Sequence, residues 1–232
     1  MATTSAPEAQ AVAGSLQEQA QRHLWMHFTR MGSFGPEHEV PIIVRGEGCY
    51  VWDDHGKRYL DGLSALFCVN SGHGRAELGD AMAAQVRELD FITVWSYAHP
   101  RAIELATRIA SLAPGDLNRV FFTNSGSEAV ESALKLARNY HRTRGNGSKT
   151  KVVAREIAYH GTTLGALSAT GIPALRSQFE PLAPGGVHVP NTNSYRWPEE
   201  RDRLWAADAI EEKILFENPD TVAASAPIVV PW

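Results

Sequence analysis

The sequence has 232 residues, of which 44% are hydrophobic and 21% charged, with a formal net charge of -4. That places it among ordinary globular chains of one domain or two small ones. It excludes a nucleic-acid surface, which needs a clustered basic excess, and no apolar run approaches the roughly 20 residues of a membrane span.

Residues 1 to 14 are poor in large apolar side chains and are expected to form a flexible tail. No basic residue precedes Arg22 and no apolar stretch follows the start, so a secretory signal is not expected and the default location is cytoplasmic. Ser15 to Phe28 is predicted as a short helix with an aromatic end. From Pro41 the pattern changes to short β-branched and aromatic runs, Ile42-Ile43-Val44, Tyr50-Val51-Trp52 and Arg58-Tyr59-Leu60, separated by glycine turns. This is the pattern of a small antiparallel lobe. Cys49 and Cys68 are the only cysteines; two free thiols in a reducing compartment are favoured over one disulfide.

After Asp61-Gly62, helices and strands alternate. Leu78, Met82, Val86 and Leu89 recur at helical spacing within Arg75 to Leu89. Ile103, Leu105, Ala106 and Ile109 do the same within Arg101 to Leu112, which Pro114-Gly115 terminates. Val120 to Thr123 is predicted as a buried strand, Ser127 to Arg144 as a helix with Val130, Ala133, Leu134, Ala137 and Tyr140 on one face, and Lys151 to Ala154 as the next strand. Pro198 opens a helix to about Phe216 with Leu204, Ala207, Ile210 and Ile214 inward, and Thr221 to Val230 forms a further strand interrupted by Pro227. Alternation of this kind implies βαβ units and a parallel sheet covered on both faces.

The most informative segment is Val120-Phe121-Phe122-Thr123-Asn124-Ser125-Gly126-Ser127-Glu128-Ala129. A strand enters a tight polar turn and a helix leaves it at once. The first turn of that helix has free amides and the positive end of its dipole. Gly126 admits a ligand to the backbone, and the Ser125 and Ser127 hydroxyls add donors, so the turn suits a phosphate. The same residues would equally make an ordinary helix cap. Other phosphate and catalytic patterns are missing. Gly145 to Thr150 has the wrong spacing for a Walker A loop, no G-x-G-x-x-G follows a strand, and no G-x-S-x-G elbow occurs. The nine histidines show no metal-ligand spacing, so no metal is expected.

Read as a longer string, Phe121 to Leu136 resembles the phosphate-binding segment of class III pyridoxal-phosphate-dependent aminotransferases. Glu156 to Thr163 resembles that family's Tyr-His-Gly segment, Leu66 to Arg75 its substrate-side loop, and His23 to Thr29 its N-terminal entry. The four segments stand in family order, and the likeness runs from about residue 20 to about residue 224. Within the family the pattern is most similar to the ω-amino acid (β-alanine-type) to pyruvate group.

The resemblance implies an α/β chain of fold-type I: a small N-terminal α+β lobe segment over residues 15–74, then the first part of a large, mostly parallel α/β/α domain over residues 75–232. It implies pyridoxal 5'-phosphate as cofactor, held through its phosphate by Ser125, Gly126 and Ser127, with Tyr159 stacked on the ring and His160 beside it. Phe67, where many relatives have Trp, and Trp25 would line the substrate pocket. Taken singly, His160 suits a structural histidine, and Tyr159 and Phe67 suit half-buried or core aromatics. The substrates would be an amino donor and a keto acid acceptor, and the full-length family forms homodimers with active sites at the interface.

None of the five lysines, Lys57, Lys135, Lys149, Lys151 and Lys213, matches the position of the family's Schiff-base lysine. Ser225-Ala226-Pro227 departs from the family's Glu-Pro pair. A truncation or an altered reading frame is therefore expected, with a chain that cannot turn over alone and with exposed apolar helix faces. The alternative functional readings are a non-catalytic cofactor-binding or subunit-interaction module and, last, a sugar-phosphate or nucleotide binder.

Overall fold

The computed structural model describes residues 14–197 and 204–225; the expected tail at residues 1–13, the start of the helix at Pro198 and the run after Ser225 lie outside them. The chain divides into two compact units, Met1–Pro100 and Arg101–Trp232.

The first unit opens with α1, Leu16–His23. Its start is fixed by a capping box in which Ser15 Oγ accepts from the Glu18 amide and Glu18 accepts from the Ser15 amide. The expected helix is shorter than its pattern, because Leu24 turns to an extended conformation and the aromatic end runs on outside it. Gln17 ties α1 to the buried Val40, donating to its carbonyl at 2.7 Å and accepting from its amide at 3.0 Å.

The lobe expected from the glycine-broken runs is an antiparallel sheet in the order β1 (Ile43–Glu47), β2 (Tyr50–Asp53), β3 (Arg58–Leu60). Buried Asp53 builds the second turn: it accepts from the amides of His55 and Lys57 and from the Tyr59 hydroxyl at 2.7 Å. The Tyr59 bond, outweighing partial burial, holds its carboxyl below the usual value. Next comes α2 (Ser64–Phe67), a single left-handed turn in which all four residues have positive φ. The unit closes with α3 (Ala76–Glu88).

The second unit contains α4 (Pro100–Leu112, which starts one residue before it), α5 (Gly126–Thr143), β4 (Lys151–Arg155), α6 (Leu164–Ala169), α7 (Pro173–Arg176), β5 (Gly186–Val189), α8 (Trp205–Phe216) and β6 (Val222–Ser225). Its sheet is parallel in the order β5-β4-β6, with β4 in the centre. Val153, Val189 and Val222 make the buried core, and Ile210 and Ile214 of α8 pack on it with Val187. A central parallel strand is covered on both faces, and the burial of Val152, Val153 and Ala154 in succession follows from that. Gly186 lets α6 approach the sheet, since a Cβ there would fall 2.2 Å from the Ser168 carbonyl oxygen.

One expected strand is missing. Val120 to Thr123 joins no ladder, and Phe121 is 79% exposed. The run has the propensity of a buried strand, but a strand exists only through its hydrogen-bonded neighbours, and none of the described strands pairs with it. No helix among the described residues is long and apolar enough to cross a membrane.

Candidate functional site

The turn before α5 is held by its own side chains. Ser125 is the cap residue, extended at φ -153° and ψ 162°, and its Oγ accepts from the Glu128 amide at 3.2 Å. Glu128 in turn accepts from the Asn124 amide at 2.9 Å, and the Thr123 hydroxyl donates to the Ser125 carbonyl at 3.1 Å. These bonds leave the amides of Gly126 and Ser127 at the helix start without an intrahelical acceptor. A Cβ built on Gly126 would meet nothing within 4 Å, so that side of the turn is open. The ordinary cap and the anion-binding turn, which the sequence offered as alternatives, are thus compatible: Ser125 caps while the two amides beyond it stay available.

The structure brings this turn together with the segment after β4. Ser127 Oγ accepts from the Thr162 amide at 3.1 Å. Gly161, at φ +126°, lies so close that a Cβ there would sit 2.5 Å from Ser127 Oγ and 2.9 Å from Ser127 Cα. One turn further along α5, Glu131 accepts from the Thr163 hydroxyl at 2.7 Å and from the amides of Gly165 and Ala166 at 2.8 and 3.2 Å. Burial pushes the Glu131 carboxyl up, but these three bonds outweigh it and its pKa falls below the usual value.

Tyr159 is half-buried at the mouth of the same segment, and His160 is inside it at 4% exposure. The His160 amide donates to Thr170 Oγ1 at 3.0 Å, and that hydroxyl donates on to the Gly161 carbonyl at 3.0 Å. Neither ring nitrogen of His160 has a hydrogen-bond partner. Burial, reinforced by Arg155 and His188, pushes its pKa below the ordinary 6.5, so the ring stays neutral.

Phe67 and Trp25 belong to the first unit, where both are exposed, Phe67 at the end of the left-handed turn α2. The residues that sequence reasoning missed are Glu131, Thr162, Thr163 and Thr170. Glu131 had a legible signal, since it follows Ser127 by four residues and must share its helix face. Thr162 and Thr163 close the segment that resembles the Tyr-His-Gly stretch, although no role was read for them there, and Thr170 carried no signal.

A parallel sheet with helices between its strands, one of them opening on the Ser125-Gly126-Ser127 turn, defines an α/β protein. The chain belongs to the class III aminotransferase family, whose model matches residues 34–229. It is 56% identical over 207 residues to a probable aminotransferase of Mycobacterium tuberculosis, covering 88% of this chain and 44% of that protein. It is 40% identical over 168 residues to a β-alanine–pyruvate aminotransferase of Pseudomonas aeruginosa, covering 72% and 37%. An ω-transaminase of Pseudomonas jessenii, solved in complex with PMP, superposes with a TM-score of 0.86 at 33% identity, covering 91% of this chain and 48% of that one. The chain therefore spans less than half the length of these relatives, and its fold is part of the fold-type I α/β transferase fold.

Proposed function

We propose that this chain supplies the phosphate-side part of a pyridoxal-phosphate-dependent aminotransferase site, in which an amino group passes from an ω-amino acid or amine to pyruvate or a similar keto acid. The observation that carries the reading is the Ser127–Thr162 junction, which holds an open helix N-terminus against the segment bearing Tyr159. The residues fit the cofactor's phosphate: two first-turn amides, two serine hydroxyls and the open face of Gly126. When bound, pyridoxal phosphate would supply an electron sink for the carbon that exchanges its amino group.

This chain's own residues have simpler tasks. Ser125, Gly126 and Ser127 bind and orient the phosphate. Tyr159 would offer an aromatic face to the ring, with His160 beside it. Phe67 and Trp25 would contribute to the substrate pocket, residues 15–74 to a small lobe and residues 75–232 to the large domain, in a homodimer of the whole protein.

The Schiff-base lysine would come from the part of the relatives' length that this chain does not span, so the chain alone is expected not to turn over. The positions of its lysines support this. Lys149 donates to the carbonyls of Pro219 and Val222, Lys151 to the Glu217 carbonyl and carboxylate, and the ammonium groups of Lys57 and Lys213 lie over the rings of Tyr59 and Phe216. Lys135 sits on the exposed side of α5.

Borohydride reduction of the chain with pyridoxal phosphate, followed by peptide mass analysis, tests the reading. Saturable binding without a stoichiometric adduct is expected. One stoichiometric adduct on a single lysine would overturn the claim of inactivity, and absence of saturable binding would overturn the phosphate site.

A further inference from the structure

Glu131 does more than its place on the helix requires. It stands one turn beyond Ser127 on α5, and the two side chains reach across to the same short stretch of chain. Thr162 donates its amide to Ser127 Oγ at 3.1 Å; Thr163 donates its hydroxyl to Glu131 Oε1 at 2.7 Å; Gly165 and Ala166 donate their amides to the same oxygen at 2.8 and 3.2 Å. Gly165 is pressed against the carboxylate, since a Cβ there would fall 2.5 Å from Glu131 Oε2. Four bonds within residues 162–166 therefore originate from two side chains of one helix.

Capping α6 would need only the two amide bonds. The Thr163 hydroxyl and the Ser127 junction extend the grip to the residues that directly follow Tyr159, His160 and Gly161. On its other side that tripeptide is tied to Thr170, which accepts from the His160 amide and donates to the Gly161 carbonyl. The segment is clamped between α5 and the end of α6. The helix that starts at the Ser125-Gly126-Ser127 turn is thus also bonded to the stretch that follows the aromatic residue.

We infer that Glu131 is a positioning residue: it fixes Tyr159 at a set distance from the phosphate turn, so that one helix gauges both ends of the cofactor. The inference rests on the proposed function, because it needs the phosphate at residues 125–127 and the ring at Tyr159. It predicts a split between two ligands. Inorganic phosphate uses only the turn, whereas pyridoxal phosphate uses the turn and Tyr159.

The test compares the full chain with Glu131→Ala, Glu131→Gln and Thr163→Val, measuring the Kd for pyridoxal phosphate and for inorganic phosphate by titration, with hydrogen exchange over residues 157–170. Glu131→Ala is expected to weaken pyridoxal phosphate about tenfold, the scale of one aromatic stacking contact, while phosphate shifts less than about twofold. Exchange should rise at Thr162 as well as at Gly165 and Ala166, and Glu131→Gln, which keeps an acceptor oxygen, should restore most of the affinity. Thr163→Val deletes one bond at nearly constant volume and should move the same ratio by a smaller step, which keeps the test open where Glu131→Ala fails to fold. An unchanged ratio of the two affinities, with faster exchange confined to residues 164–166, would reduce Glu131 to a cap for α6 and overturn the inference alone. A wild-type chain that binds neither ligand would overturn the proposed function and this inference with it.

Discussion

Gly161 stands where two conformational demands meet. Its φ of +126° lies in a region closed to side-chain-bearing residues, and its α-hydrogens face Ser127 at a distance no Cβ tolerates. Gly161→Ala should therefore destabilise the second unit by about 2–4 kcal/mol, combining backbone strain with overpacking, and lower the denaturation midpoint accordingly. The clash reaches past Ser127 Oγ to its Cα and Cβ, which cannot rotate away, so the damage should reach phosphate binding as well. His160 makes a pH prediction at the same scale. Its folded pKa is held below the unfolded value of 6.5, first by burial and then by Arg155 and His188. The folded chain thus binds fewer protons than the unfolded chain as pH falls. Stability is undiminished above 6.5 and declines as the pH drops through 6.5 toward the folded value. Urea midpoints measured against pH should slope downward below 6.5, and His160→Phe should flatten that slope without abolishing it, because His188 is also lowered by burial. A slope identical in wild type and variant would mean that His160 titrates in the folded chain as it does in the unfolded one.

Elements differ in how far local pattern could reveal them. The antiparallel lobe, the helices α3 to α5 and strand β4 lie close to where residue periodicity and glycine turns put them, because each is decided by its own residues. The run at Val120–Thr123 failed because strand pairing is not local: propensity supplies the run, and only a neighbour supplies the ladder. Helix α8 shows a smaller error of the same origin. Its inward Ile210 and Ile214 were legible, but the residues of its first turn were not. The residues facing the sheet are Ala206, Ile210 and Ile214, at successive four-residue steps, whereas Leu204 is exposed at the helix cap and Ala207 faces out. The site followed a similar division. The phosphate turn could be read because its chemistry is contiguous, while the clasp from Glu131 to residues 163–166 joins positions more than 30 apart in sequence. The buried face of α8 is testable by a pair of substitutions. Ile210→Ala should cost about 2 kcal/mol, at the low end for a large-to-small change because the side chain is only partly buried, and Leu204→Ala should stay within about 0.5 kcal/mol. Equal costs at both positions would put Leu204 on the buried face beside Ile210, as its sequence suggested.

Taken whole, the molecule carries more apolar surface than a self-sufficient chain usually tolerates. On α3, Leu78, Met82 and Val86 recur every four residues and are all exposed, forming one continuous stripe. On α4, Ile103, Leu105, Ile109 and Leu112 are exposed too, and in the loop between these helices Phe91, Val94, Trp95 and Tyr97 point largely into solvent. Single exposed apolar residues are unremarkable, but aligned stripes of this kind mark surfaces that are normally covered. The parallel sheet adds to the exposure, since β5 and β6 are its edges among the described strands and their outer backbone groups lack ladder partners there. Covering such surface is worth roughly 25 cal/mol for each square ångström removed from water, so association is driven by the uncovered stripes themselves. The purified chain should therefore bind an apolar fluorescent dye while still folded, and should sediment as larger species as its concentration rises. Replacing the centre of the α3 stripe, Met82→Lys with Val86→Glu, puts charge on positions that contact nothing in the core and should leave the unfolding midpoint within about 0.5 kcal/mol of the parent. The same double substitution should lower dye binding and delay association to higher concentration. If association persisted unchanged, the stripe on α3 would not be its cause, and the sheet edges would be the surfaces to block next.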